Sequence, residues 1–382
     1  MPPLLTESER TRLFPVLADY TYLNTAWRGP VSAPAAAAAK GYIDDFSRRG
    51  VMAFDDWQRV WNDARATFAA FVSAQPGEIQ FLANATDALT RVTLGIDWKT
   101  GDHVIVPARD YPGVTRPVLD LRRRGVDVAL VPARQDGSMP AQELLAAITP
   151  RTRLVAASHV DFRTGYRMDA AALAAGCRAR GVLCVLDMVQ SVGAVETDVR
   201  AIGCDFATFE GRKWLNALDT LGVLYVRRES LGKLTPHTLG LYSVPEPYDF
   251  ETPDQPLAEG AQRFQLGALA MPQVYALQAA LKLQGDIGPE CVRSRVAELG
   301  LELRRAAADR RFSVIGNDWP TAAQSGIVTL RREGVLASSG LGAKLAAAKV
   351  AASARQGILR ASPHFYNTSA DLERLFDVLS GS

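Results

Sequence analysis

With 382 residues, 48% of them hydrophobic and 22% charged, the chain has the composition of a soluble globular protein of two domains, not of a disordered or fibrous one. A net charge of +2, with no Lys/Arg cluster along a face or tail, argues against nucleic acid or an anionic membrane as partner. The N-terminus has no basic segment leading into an apolar stretch, no apolar run reaches the length of a membrane span, and Cys177, Cys184, Cys204 and Cys291 show no CxxC spacing; the expectation is a cytoplasmic protein with reduced thiols and no metal site.

Ser32 and Pro34 open an Ala-rich helix that runs to about Arg49. Trp57, Val60, Trp61, Ala64, Phe68 and Phe71 recur three and four apart and predict a second amphipathic helix over 55–72. Strands and helices then alternate. Strands are predicted at 79–82, 103–107, 126–131, 154–158 and 182–187, with helices at 86–95, 113–124, 140–148 and 169–180 between them. Strands that are apolar throughout and separated by helices predict an α/β fold, a mainly parallel sheet with helices on both faces. The segment 242–260, rich in Pro, Asp and Glu, reads as a loop. Helices follow at 271–284 and 291–308, then strands at 312–314 and 326–330, an Ala-rich helix at 341–355, a strand at 358–360 and a closing helix from Ser369. This predicts a large domain over 17–260 and a small α+β domain over 261–382 that also takes in 1–16.

Ligands of open parallel sheets sit at the carboxyl ends of the strands, where Ser158, His159 and Asp187 fall. Lys213 lies 26 positions after Asp187, in Thr208-Phe209-Glu210-Gly211-Arg212-Lys213-Trp214-Leu215. A lysine to hold an aldehyde as a Schiff base, and an aspartate to keep a pyridine nitrogen protonated, are what a pyridoxal-phosphate enzyme needs. The turn Asn84-Ala85-Thr86-Asp87-Ala88 offers free N–H groups at a helix N-terminus, suited to a phosphate or to plain N-capping. Tyr111, just past a strand, is placed to stack on a flat ring or to fill a turn, and His159 to stack, bond or simply support structure. Arg360, ending an apolar strand, suits bidentate binding of a carboxylate or a surface ion pair. There is no Walker lysine motif, Gly340-Leu341-Gly342 lacks the third glycine of a dinucleotide fingerprint, and Ser158-His159 lacks a GxSxG elbow, which leaves a nucleotide-binding oxidoreductase or a serine hydrolase unsupported.

Over nearly its whole length the chain resembles the class V aminotransferase family of pyridoxal-phosphate enzymes, which includes cysteine desulfurases, isopenicillin-N-epimerase-like proteins and kynureninases. The resemblance is carried by Tyr22-Leu23-Asn24-Thr25-Ala26, Ala85-Thr86-Asp87, Ser158 to Gly165, Asp187-Met188-Val189-Gln190-Ser191-Val192-Gly193-Ala194, Lys213-Trp214-Leu215 and Arg360 to Thr368. It implies the fold-type-I architecture, pyridoxal 5'-phosphate as cofactor, an amino acid or related carboxylated amine as substrate, and a homodimer. It also implies roles: Lys213 as the Schiff-base lysine, Asp187 on the pyridinium nitrogen, Gln190 on the ring's phenolic oxygen, Ala85 and Thr86 on the phosphate, Tyr111 stacked on the ring, and Arg360 with Asn24 on the substrate carboxylate.

Departures from the family pattern bear on the reaction. Glu210-Gly211-Arg212 precedes the lysine, so that a charged Arg212 replaces a neutral phosphate donor and Glu210 needs a partner or must turn away. Asn216 to Thr220 replaces a glycine-rich stretch, Gly267-Ala268 lacks the usual threonine, and Phe162 stands where desulfurases carry asparagine. The 331–342 stretch, where desulfurases carry their nucleophilic cysteine, has none. The expectation is an aminotransferase, epimerase or lyase working at the α-carbon, and not a persulfide-forming desulfurase. The alternative is a non-catalytic relative with a binding or regulatory role.

Overall fold

The computed structural model describes residues 4–268, 270–331, 340–355 and 357–380. In chain order the strands are β1 (Thr21–Tyr22), β2 (Ile79–Leu82), β3 (His103–Pro107), β4 (Asp127–Val131), β5 (Thr152–Ser158), β6 (Leu183–Asp187), β7 (Phe206–Glu210) and β8 (Gly222–Val226). After a helical interval come β9 (Ser313–Val314), β10 (Val328–Arg331), β11 (Val350–Ala351), β12 (Ser353–Arg355) and β13 (Ile358–Ala361).

Runs of Val, Ile, Leu and Ala with no polar face can only be buried on both sides, and β2 to β8 form one seven-stranded sheet in the order 2-8-7-6-5-3-4. Only β8 runs against the others. One face packs Phe68, Phe209, Tyr225 and Leu277, and the other packs Leu89, Val92, Val114 and Phe264. A second, antiparallel sheet in the order 12-13-10-9 shares a core with the helices Pro289–Asp309 and Ser369–Ser380, built on Leu299, Leu303, Leu359, Leu375 and Phe376. β1 pairs in parallel with β11, which ties the N-terminal segment to this smaller unit.

Two parts of the sequence reading give way. The helix expected to run to Arg355 ends at Ala347, because Lys349 adopts a left-handed conformation (φ 56) and the chain leaves as β11 and β12. Alanine favours the helix locally, but pairing with β1 and β13, which are remote in sequence, decides the outcome. Strands β7 and β8 were not anticipated. The helix Met271–Ile287 packs on Ala33–Arg49 and Phe54–Phe71, and its Val274, Leu277 and Leu281 belong to the large-sheet core. We therefore propose a division near Gly288 instead of 260. Most of the cysteine-free 331–342 stretch, residues 332–339, lies outside the described residues.

Candidate active site

Parallel pairing sets Ser158, Asp187 and Thr208 side by side at the carboxyl ends of β5, β6 and β7. Lys213 follows three residues after β7 and is buried, 4% exposed. Its backbone is strapped from above: the Gly29 amide donates to the Arg212 carbonyl at 2.9 Å. A side chain at Gly29 would place its Cβ 2.0 Å from the Lys213 carbonyl oxygen, so only glycine lets the 24–30 segment pass this close.

Burial removes water from both charged groups. Asp187 is pushed up to about 7, first by desolvation and then by the nearby Asp110 and Glu210 carboxylates, against an opposing bond from the Val189 amide. Desolvation likewise pushes Lys213 down to about 8, against the pull of Asp187. The result is an amine that gives up its proton far more readily than an exposed lysine, beside an acid poised to pair with a cation. The Lys213 Nζ lies 5.4 Å from the centre of the Tyr111 ring. Tyr111 is held by Asp110, which accepts its amide at 2.6 Å and also the amide and hydroxyl of Ser158. Phe162 closes edge-on against Tyr111 at 5.3 Å.

The helix Ala85–Gly95 begins beside this cluster, capped by Asn84, whose Oδ1 accepts the Asp87 amide at 2.9 Å. Its first turn leaves N–H groups without intrahelical acceptors, a natural anion cradle next to the Thr86 hydroxyl. Gly222 of β8 runs directly under the turn, where a Cβ would meet the Asn84 carbonyl carbon at 2.1 Å. Arg212 donates its Nε to Glu210 at 2.8 Å. Glu210 is thus neutralised, which removes the repulsion its sequence position suggested, and the Nη groups of Arg212 are left for an anion.

Arg360, on β13, is buried enough that desolvation pushes it down to about 10, so it remains a cation at neutral pH. Its Nη1 donates to the Phe162 carbonyl, while its Nε is buried with no partner among the described residues. In a guanidinium the edge opposite that anchor carries Nε and Nη2, the fork that binds a carboxylate bidentately. Asn24 bridges Ser362, two residues on, and its buried Oδ1 is also unpartnered.

The structure thus brings Lys213, Asp187, Tyr111, Arg212 and Thr86 into one neighbourhood, with Arg360 reached through Phe162. It does not bring His159 there. His159 is buried and pushed down to about 3 by desolvation and by Arg167; it lines a separate cavity with Tyr166, Arg167 and Glu196. Adjacent residues at a strand end point to opposite sides, and Ser158 takes the side facing Asp110. Gln190 is largely committed: its Nε2 donates to the Ala26 carbonyl at 2.8 Å and its Oε1 accepts from Trp214 at 2.9 Å, leaving one N–H. The sequence reading missed Asp110 and Gly29. An acid just before a Tyr-Pro helix start was the one visible sign of Asp110, and only the tertiary crossing reveals Gly29.

This donor set fits pyridoxal phosphate: a desolvated amine for the aldehyde, a buried carboxylate for the ring nitrogen and a helix N-terminus with an arginine for the phosphate. Among the described residues no cluster suited to a metal ion occurs. In comparison with known proteins, the family model described as aminotransferase class-V matches residues 47–375. The chain is 28% identical to an uncharacterized aminotransferase, YcbU, of Bacillus subtilis, covering 97% of this chain and 96% of that protein. It is 27% identical to isopenicillin N epimerase of Streptomyces clavuligerus over 94% and 93% of the two chains. Among solved structures, the cystine C–S lyase C-DES in complex with its product cysteine persulfide superposes with a TM-score of 0.89 at 25% identity, over 96% of this chain and 99% of that one. With the buried lysine and aspartate in one neighbourhood and a family match over most of its length, the chain belongs to the class-V aminotransferase family.

Proposed function

We propose that this enzyme reacts α-amino acids at the α-carbon, with the substrate carboxylate in the Nε/Nη2 fork of Arg360 and Lys213 as the base that moves the α-proton. The enzyme depends on pyridoxal 5'-phosphate, which supplies an electron sink for the bonds of the α-carbon. Lys213 would anchor the cofactor's aldehyde, and its amine, whose pKa desolvation lowers, sits in a dry site suited to proton transfer. Asp187 holds the proton on the ring nitrogen. Thr86, the Ala85 helix end and Arg212 bind the phosphate; Tyr111 flanks the ring, and the remaining N–H of Gln190 serves the ring oxygen. Transamination, epimerisation and elimination all begin with these roles.

The observation that carries this reading is the anchored Arg360, whose buried Nε has no partner among the described residues. Arg360→Lys keeps the charge but loses the second donor and the geometry. On whichever amino acid a screen for keto acid, ammonia, sulfide and racemised product identifies as substrate, kcat/KM is expected to fall by about tenfold to a hundredfold, since a charge-assisted bond contributes roughly 1.5–3 kcal/mol. An unchanged kcat/KM would remove Arg360 from substrate binding.

Persulfide-forming desulfurisation is not the proposed reaction. Cys177, Cys184 and Cys204 are buried, and burial pushes Cys204 up to about 12, which disfavours its thiolate; Cys291 is exposed, at the start of the helix Pro289–Asp309, and is not among the residues gathered around Lys213. Among the described residues no helix is long and apolar enough to cross a membrane, and we place the protein in the reducing cytoplasm.

We also propose a homodimer. Ile43, Phe46, Val51, Met52, Tyr248 and Phe250 are each about half or more exposed, and the ring contacts Phe46–Trp57 and Phe54–Tyr248 join them into one apolar face. A second copy covers this face. Sedimentation at micromolar concentration is expected to give a dimer that Phe250→Asp weakens; a monomeric parent would refute it.

A further inference from the structure

Beyond the site at Lys213, a cleft of about 610 Å³ opens between the end of the large sheet and the edge of the small one. Four arginines line it: Arg109, Arg134, Arg163 and Arg331. Of the acidic groups nearby, one is paired with a cation, and two are held in place by neutral donors and keep their charge. Glu143 pairs with Arg134 at 2.7 Å. Asp136 accepts from the amide and hydroxyl of Ser138 and from Trp319 Nε1. Asp161 accepts from the Arg163 and Thr164 amides and the Thr164 hydroxyl. Asp318 alone on the lining has no such bond among the described residues. On the other side of the balance, Arg109 and Arg163 have no ion pair among the described residues, and the Arg163 Nε is buried without any acceptor. A desolvated guanidinium N–H without a partner is costly, and an oxyanion is the group that satisfies it.

The cleft is distinct from the cofactor site. The two lie on opposite sides of the 161–164 turn: Phe162 meets Tyr111 on one side and Arg163 lines the cleft on the other. The turn itself is fixed by the small sheet, where the cross-strand partners Thr329 and Arg360 grip the successive carbonyls of Arg163 and Phe162. Arg163 is therefore presented on a braced backbone, not on a free loop tip, and a small void beneath it, shared with Arg109, runs on to Asp110 and Ser158.

We propose that this cleft is a binding site for a small oxyanion, a phosphate or carboxylate, held by Arg109 and Arg163. Two sources share that chemistry: a free anionic metabolite, and a second acidic group on the substrate reaching around the turn.

The test is calorimetric titration of inorganic phosphate into the protein saturated with pyridoxal phosphate, so that the cofactor's own phosphate cradle is occupied. The parent is expected to bind phosphate. Arg163→Ala and Arg109→Ala, at positions outside the catalytic machinery, are each expected to bind it about tenfold more weakly or worse, the loss typical of a charge-assisted hydrogen bond. Arg360→Ala is expected to bind it as the parent does. Thermal melting of each variant confirms that it is folded, and Arg163→Gln serves where the alanine variant is not. No binding by the parent overturns the proposal; so does parental affinity in both the Arg163 and Arg109 variants, or a loss in Arg360→Ala, which would put the anion in the substrate pocket. Repeating the titration with excess L-glutamate or L-alanine identifies the source. Displacement by glutamate alone assigns the oxyanion to a substrate side chain, and displacement by neither assigns it to a free ligand; displacement by both overturns the separate site.

Discussion

Lys213→Ala is expected to fold as the parent does, to lose covalent attachment of the cofactor and to lose turnover. The side chain is a single buried amine whose neutral form is favoured by desolvation, so alanine removes a group the core gains nothing by keeping charged. Borohydride reduction of the cofactor-loaded parent followed by peptide mass mapping should place the cofactor on Lys213 and on no other lysine. The loss in rate combines the anchor with general acid–base catalysis, which alone contributes roughly 10²–10⁴-fold. The pH dependence follows from the direction of the shift. An attacking amine must be neutral, and burial lowers the pKa of Lys213, so attachment of the cofactor to the unloaded protein should rise with pH with its midpoint near pH 8. An exposed lysine would have its midpoint only above about pH 10. A reducible adduct in Lys213→Ala, or a midpoint at the exposed-lysine value, counts against the assignment.

Asp187→Ala is expected to keep cofactor attachment and lose most of the chemistry. In the chain alone burial favours the neutral acid, but a cationic ring nitrogen placed against it is the opposite charge that stabilises the carboxylate. An opposite charge at such range moves a pKa by about 1–3 units, so removing Asp187 should cut the protonated fraction of the ring, and kcat with it, by about ten to a thousandfold. The effect should appear in kcat more than in KM, because Arg360 still holds the carboxylate. A variant that keeps the parental kcat would mean that another acid serves the nitrogen; Asp110, buried and itself raised to about 6, would be the first to examine.

Much of this was legible in the sequence, for a physical reason. Fully apolar runs such as Val104-Ile105-Val106 can only be central strands, and helices between them fix a parallel sheet whose carboxyl ends carry the site. Asp187 could be placed at a strand end on that ground, whereas Lys213 was tied to it by its spacing and by the family resemblance, since β7 was not anticipated. What failed depended on partners remote in sequence. Lys349 to Arg355 leaves the helix because β1 and β13 are there to pair with it. His159 faces away because alternation at the end of β5 gives the inner side to Ser158. Gln190 keeps one N–H for the role expected of it, but its bonds to Ala26 and Trp214 could not be read from its own stretch of sequence. Asp110 was passed over because its importance lies in the bonds it accepts from Ser158, 48 positions away.

The central claim is that Lys213 moves a proton at the α-carbon of an amino acid held by Arg360. The most direct measurement is exchange of that proton with solvent: cofactor-loaded protein is incubated in deuterium oxide with individual L-amino acids, and loss of the α-proton signal is followed by NMR. Exchange with the parent on at least one amino acid, and none with Lys213→Ala, is the predicted result. Exchange with none of them, or exchange that survives in Lys213→Ala, would contradict the account.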